Sequence, residues 1–218
     1  MKASCLRLKA QSSWAAYYQE EHSYSDAGLT HKQEIVREYL KFVKPEIVWD
    51  LGANTGMFSR IAASLGAYTV AFDYDPLVVE LNYREMKKKN ESNLLPLLQD
   101  LTNPSPAIGW RNRERSSLIE RANADLTMSL ALVHHLLIAN NVPLDQLVDF
   151  FYQLSRWQII EFIPKSDHQV QRLLTSREDI FLDYSSEAFE AEFNKRFKIH
   201  RKQAIQDSAR CLYLMERH

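Results

Sequence analysis

The stretch that most limits what this chain can fold into is Val48-Trp49-Asp50-Leu51-Gly52-Ala53-Asn54-Thr55-Gly56-Met57-Phe58-Ser59. An apolar run ends on an acid, two glycines bracket a short loop, and a helical pattern follows. That order predicts a strand, a tight turn and a helix N-terminus, where backbone comes close to a ligand. Glycine suits such a loop because it has no side chain to block the approach and it accepts positive φ. The spacing is D-x-G-x-x-x-G, not the G-x-G-x-x-G of dinucleotide-binding proteins. A carboxylate at Asp50 repels a pyrophosphate and suits a ligand with a cationic amino group. Asn54 stands where a further glycine is common, and Asn tolerates left-handed geometry.

Two further runs repeat the pattern. Residues 68–73 are β-like and end on Asp73, 17 residues beyond Gly56. That is close to the spacing of an acid that accepts hydrogen bonds from ribose hydroxyls in a βαβ unit. Asp75 before Pro76 reads as the cap of the next helix. The run from Leu94 to Gln99 ends in Asp100-Leu101. There an acid can accept from an adenine amino group while the leucine packs on the ring. A single Asp at a strand end is usually a helix cap, but three in succession favour nucleoside binding.

Val48–Gly56, Val70–Pro76 and Asp100-Leu101 resemble motifs I, II and III of the class I S-adenosylmethionine-dependent methyltransferases. Ser129-Leu130-Ala131-Leu132-Val133-His134-His135-Leu136 resembles their fourth motif. More narrowly, Asp100–Trp110, the His-His-Leu run and Glu161–Asp167 followed by Gln171–Leu174 are similar to the nodulation-protein-like methyltransferases. The resemblance spans about residues 14–215. It implies S-adenosyl-L-methionine as cofactor, leaving as S-adenosyl-L-homocysteine. It places cofactor contacts at Asp50, Gly52, Ala53, Asn54, Gly56, Asp73, Tyr74, Asp100, Leu101 and Leu130.

The implied chemistry is displacement at an activated methyl group, in which the protein chiefly aligns the partners. An acidic acceptor also needs a base. His134 and His135 are the candidates, because a neutral imidazole titrates near working pH. His134 is favoured, since it matches the histidine of related O-methyltransferases; a purely structural role for both stays equally open. Glu161, Lys165 and Asp167 follow the fifth strand, which borders the substrate mouth in this family. Glu161 is expected to orient the acceptor or act in catalysis, and Lys165 to bind an anionic group on it. Their plainer reading is a surface ion pair with a helix cap at Asp167. The aromatic segment Trp14, Tyr17, Tyr18, Tyr24 with Ser25 is expected to cover the cofactor, with Tyr18 and Tyr24 toward the substrate, or simply to pack as a lid. Lys32 is expected to reach the cofactor carboxylate. Trp110 and the neighbouring Arg111, Arg113 and Arg115 are expected at an acidic substrate or an RNA backbone, or at a solvated helix start.

Composition sets outer limits. The chain has 218 residues, 45% of them hydrophobic, and a net charge of −1. That suffices for one core and gives no global field for nucleic acid or anionic membrane. Cys5 and Cys211 provide neither a disulfide framework nor metal-ligand spacing, and no metal is expected. No apolar stretch reads as a signal peptide or a membrane span, so a cytoplasmic setting is expected.

Along the chain strands alternate with helices. Helical patterns are read at 30–43, after the glycine loop (Phe58, Ile61, Ala62, Leu65), at Pro76–Lys89, around Leu144–Leu154 and at Ser186–Arg196. Strands are read at Glu46–Leu51, 68–73, 94–99, Asp125–Leu132, Trp157–Ile163, Phe197–Ile205 and Ala209–Glu216. The alternation predicts an α/β fold: a Rossmann-like, seven-stranded, mostly parallel sheet with helices on both faces and an antiparallel last strand. Residues 1–45 form an expected lid and first core helix, and 46–218 the core of a single domain. The long irregular stretch 102–124 is expected to be functional.

The leading expectation is methyl transfer to oxygen or carbon of a small-molecule or glycan-precursor acceptor. Rivals are an RNA or protein methyltransferase and a non-catalytic cofactor-binding module. A NAD-dependent oxidoreductase is disfavoured by Asp50 and the missing glycine fingerprint.

Overall fold

The computed structural model describes residues 24–218. Its elements in chain order are α1 (Asp26–Val43), β1 (Ile47–Leu51), α2 (Met57–Ser64), β2 (Tyr68–Asp73), α3 (Pro76–Lys89), β3 (Leu94–Leu98), β4 (Ala124–Ser129), α4 (Leu144–Leu154), β5 (Ser155–Phe162), α5 (His168–Leu174), α6 (Ser186–Phe193), β6 (Phe197–Ala204) and β7 (Cys211–Arg217). One seven-stranded sheet has the order β3-β2-β1-β4-β5-β7-β6. Strands β1 to β5 run parallel, and β7 lies antiparallel between β5 and β6. This is the expected architecture.

The chemistry of each run explains its place. The central strands are buried on both faces over most of their length, and β1 and β2 read as near-continuous apolar runs. Pro96 lies inside β3, which is an edge strand, where a missing N–H leaves no ladder partner orphaned. One apolar cluster packs Val148, Phe151, Phe189 and Phe193 of α4 and α6 onto one face of the sheet. A second packs Ile35, Val36 and Tyr39 of α1 and Phe58 and Ile61 of α2 onto the other.

Several boundaries differ from the sequence reading. Helix α1 begins four residues earlier, because Ser25 accepts a hydrogen bond from the Gly28 N–H at 3.0 Å and caps it. Strand β4 stops at Ser129 rather than Leu132, because Ala131 has φ 51° and turns the chain out of the sheet. Helix α6 ends at Phe193, three residues short of the predicted Arg196. Residues 135–139 form a single π-helical turn that periodicity did not announce. Asp167 caps α5, accepting from the Gln169 N–H at 2.9 Å. The stretch 102–123 holds a bridge between Ile108 and Arg115 and a 3-10 turn at Trp110–Asn112, not a longer helix.

Candidate active site

The parallel strands deliver their acids to one edge of the sheet. A cavity of about 500 Å³ opens there, with Gly52, Asn54, Asp73, Tyr74, Asp100, Leu101 and Leu130 on its wall. Seven of the ten expected cofactor contacts therefore meet around one space. Gln99, Thr102, Ala131, Leu132, His135, Leu136, Ala139, Asn140 and Leu173 complete it. A volume in the range of about 300–1,000 Å³ is typical of small-molecule sites.

The loop after β1 is shaped for close approach. Gly52 has φ 73°, and a Cβ there would meet the Leu132 Cδ1 at 3.1 Å. Asn54 takes φ 50°, and its backbone N–H donates to the Asp73 Oδ2 at 2.8 Å. The Asp75 N–H donates to the Asp73 Oδ1 at 3.0 Å. Asp73 thus joins the first loop to the second and keeps further lone pairs for a ligand. Burial raises its carboxyl above the ordinary range, and the two N–H donors oppose that shift. Asp100 accepts from the Thr102 N–H at 2.8 Å and its hydroxyl at 2.7 Å, which orients it at the rim.

Three expected contacts sit elsewhere. Asp50 is only 2% exposed and lies outside the cavity wall, accepting from the Ser59 hydroxyl at 2.5 Å. Burial pushes its carboxyl up to about 7, against the Ser59 hydrogen bond and the Lys32 charge. Ala53 is buried against Ala71 and Leu94. Gly56, at φ 81°, is the N-cap of α2, where a Cβ would lie 2.6 Å from Asn82.

The histidine pair divides. His135 is on the cavity wall, whereas His134 is 2% exposed and off it. Their ring centroids are 4.1 Å apart. Burial lowers both, His135 to about 4 and His134 well below its ordinary value, with His135 adding to the second shift. Both are neutral at neutral pH. Among the described residues the His134 Nδ1 has no hydrogen-bond partner.

The expected substrate residues do not gather on this wall. Tyr18, Trp14 and Tyr17 lie outside the described residues. Trp110 is 79% exposed and is not among the cavity residues. Lys165 binds Asp179 at 2.7 Å and the Phe181 carbonyl at 2.8 Å, beside a separate hollow next to Phe162, Tyr184 and Cys211.

Tyr24, Lys32 and Glu161 instead form a buried knot. The Lys32 Nζ lies 2.7 Å from the Glu161 Oε2, which also accepts from the Ala131 N–H at 2.8 Å. The Tyr24 hydroxyl donates to the other oxygen. Lys32 therefore faces Glu161 rather than the cavity, since α1 packs that face over β5. Burial lowers its ammonium, and Glu161 opposes the shift. Arg210 completes the knot with two hydrogen bonds to Asp167, at 2.7 and 3.0 Å. Sequence reasoning missed Arg210: it stands in the turn before β7, and nothing in its neighbours marks a partner 43 residues earlier.

No protein-family model matches the chain. It is 40% identical over 208 residues to the nodulation protein NoeA of Rhizobium meliloti, a match covering 95% of this chain. The chain spans 43% of that relative's length. The N-methyltransferase NodS of Bradyrhizobium japonicum shares the fold at TM-score 0.64 and 11% identity, covering 88% of this chain and 98% of NodS. The magnesium protoporphyrin IX methyltransferase ChlM of Synechocystis, solved with bound SAH, does so at TM-score 0.61 and 15% identity. That alignment covers 88% of this chain and 84% of ChlM. This is the class I methyltransferase fold. Among the described residues no group of three His, Cys, Asp or Glu side chains is placed to hold a metal, and no helix is long and apolar enough to cross a membrane.

Proposed function

We propose that the chain binds S-adenosylmethionine and transfers its methyl group to a small-molecule or glycan-precursor acceptor, on oxygen or carbon. One observation carries the reading: Asp73 and Asp100, at the ends of adjacent strands, share a cavity wall with the open glycine loop. That set offers acceptors for ribose hydroxyls and an adenine amino group, and apolar walls at Leu101, Leu130 and Leu136. The similarity to a nodulation protein and the fold shared with methyltransferases of small molecules agree with it.

When bound, the cofactor supplies a methyl group on a sulfonium, already activated for displacement. The remaining work falls to this chain. Asp73 would accept hydrogen bonds from the ribose hydroxyls. Gly52 lets the loop backbone approach. Asp50, buried at the end of β1 just before that loop, would supply negative charge toward a cationic amino group when it is deprotonated, above its value of about 7. His135 on the wall is neutral and can take a proton from an acidic acceptor. His134 packs against it, its ring tilted by 44° at a centroid distance of 4.1 Å. The geometry favours His135 over His134 as the base, contrary to the sequence expectation, because only His135 reaches the cavity wall.

Calorimetric titration of S-adenosylhomocysteine tests the reading, with NAD as control. The expected outcome is micromolar binding of the homocysteine ligand and none of NAD. Asp73→Ala is expected to weaken binding by about 1–3 kcal/mol through lost hydrogen bonds to the ribose. Binding by neither ligand, or unchanged affinity in the variant, would overturn the corresponding assignment.

A further inference from the structure

Ala131 sits in the cofactor cavity wall with φ 51°, a left-handed conformation that a residue with a Cβ seldom adopts. It ends β4 and starts the segment that carries His134 and His135. Something must hold it in that state. Its N–H donates to the Glu161 Oε2 at 2.8 Å. Glu161 is itself fully buried and fixed on both oxygens: Lys32 from α1 shares Oε2 at 2.7 Å, and the Tyr24 hydroxyl binds Oε1. The Arg210 Nη1, 3.9 Å from Oε1, adds positive charge on the same side.

We infer that Glu161 is a positioning residue that locks Ala131 in its left-handed turn, and through it the cavity wall and the histidine pair. The inference deepens the proposed function and rests on it for the identity of the ligand. Its oxygens are engaged by protein donors, so Glu161 does not take a proton from the acceptor. Lys32 and Tyr24 serve the same turn by fixing the carboxylate. The N-terminal helix thereby reports on the shape of a cavity that it does not line.

Two measurements test this separately from the cofactor assignment. Hydrogen exchange in the ligand-free protein reads the turn itself. Glu161→Met, which removes the acceptor for the Ala131 N–H, is expected to speed exchange across residues 130–133, and unchanged protection would overturn the inference. S-adenosylhomocysteine titration then reads what the turn does for the cavity. Glu161→Met is expected to lose about tenfold in affinity, the scale of one hydrogen bond to a charged group. In an Ala131→Gly background, where positive φ carries little strain, the same change is expected to cost about threefold or less. Equal losses in both backgrounds would reduce Glu161 to a buried ion-pair member and overturn the inference. Unchanged affinity with lost turnover would place Glu161 at the reacting atoms and overturn it as well. Tyr24→Phe leaves the Lys32–Glu161 pair intact and is the variant to use if Glu161→Met does not fold. It is expected to speed exchange over 130–133 and to show a smaller affinity loss, again reduced by Ala131→Gly; no change in either would overturn the inference. Failure of the parent protein to bind the ligand would refute the cofactor reading alone, since the exchange measurement still decides the turn.

Discussion

Asp50 shows what burying a carboxylate costs a fold. Burial pushes its carboxyl up to about 7 from an unfolded value near 3.8. The folded state therefore holds its proton more tightly, and stability falls as pH rises from about 4 to 7, with the full penalty above 7. Asp50→Asn removes that penalty. It is expected to raise the melting temperature of the ligand-free protein at pH 8 more than at pH 5, while weakening S-adenosylhomocysteine binding. A gain that does not grow with pH would show that Asp50 does not titrate as described. The histidines give a second test. His135 is lowered to about 4 by burial, so it stays neutral across the working range. His135→Ala is expected to reduce turnover by about 10²–10⁴-fold while cofactor affinity stays within a few fold, the usual share of a general base. The acid limb of the parent pH–rate profile should lie near 4, not near 6.5. His134→Ala, acting from behind, should cost less; the opposite ranking would make His134 the base.

At the scale of elements, what was legible is what short-range chemistry writes. The βα units follow from apolar runs closed by Gly, Asp and Pro, and the caps at Asp75 and Asp167 follow from side chains that accept from the next N–H groups. Three features escaped because nothing local signals them. Ala131 is an ordinary helix former, so its left-handed turn at the end of β4 depends on a carboxylate 30 residues later. The π-helical turn at 135–139 has no counterpart in the apolar periodicity of the sequence. Trp110 reads as a binding aromatic, yet its loop leaves it in solvent. Gly56 was legible as a glycine position but for a different reason. It caps α2 at φ 81°, beside Asn82 and the Arg60 guanidinium that donates to it at 2.9 Å. Gly56→Ala is expected to destabilise the protein by about 1–3 kcal/mol, the scale of one strained residue, measured by urea unfolding. A smaller loss would mean that Asn82 and Arg60 can move aside.

Across the whole molecule, the apolar layers set the architecture, and the buried charges set how its parts are registered. Lys32, Glu161, Asp167 and Arg210 come from α1, β5, the cap of α5 and the turn before β7. Their contacts cross 129 residues in one case and 43 in another. No local pattern reveals such a knot, which is why Lys32 read as a cofactor ligand and Arg210 was not read at all. Charges this deep carry a large desolvation cost, so their worth depends on being complete. Lys32→Met leaves Glu161 buried without its hydrogen-bonded cation, with only the Arg210 Nη1 at 3.9 Å, and is expected to cost about 3–5 kcal/mol in urea unfolding, as breaking one side of a buried pair does. Removing both charges and the acceptor, in Lys32→Met with Glu161→Met, takes away the buried carboxylate and should recover part of that loss. It should not restore ligand affinity, because the Ala131 turn still lacks its anchor. Stability and binding would then separate in one protein: the double variant more stable than the single, yet no better at holding S-adenosylhomocysteine. Joint recovery of both would mean that the knot serves only to balance charge, and that the cavity wall keeps its shape without it.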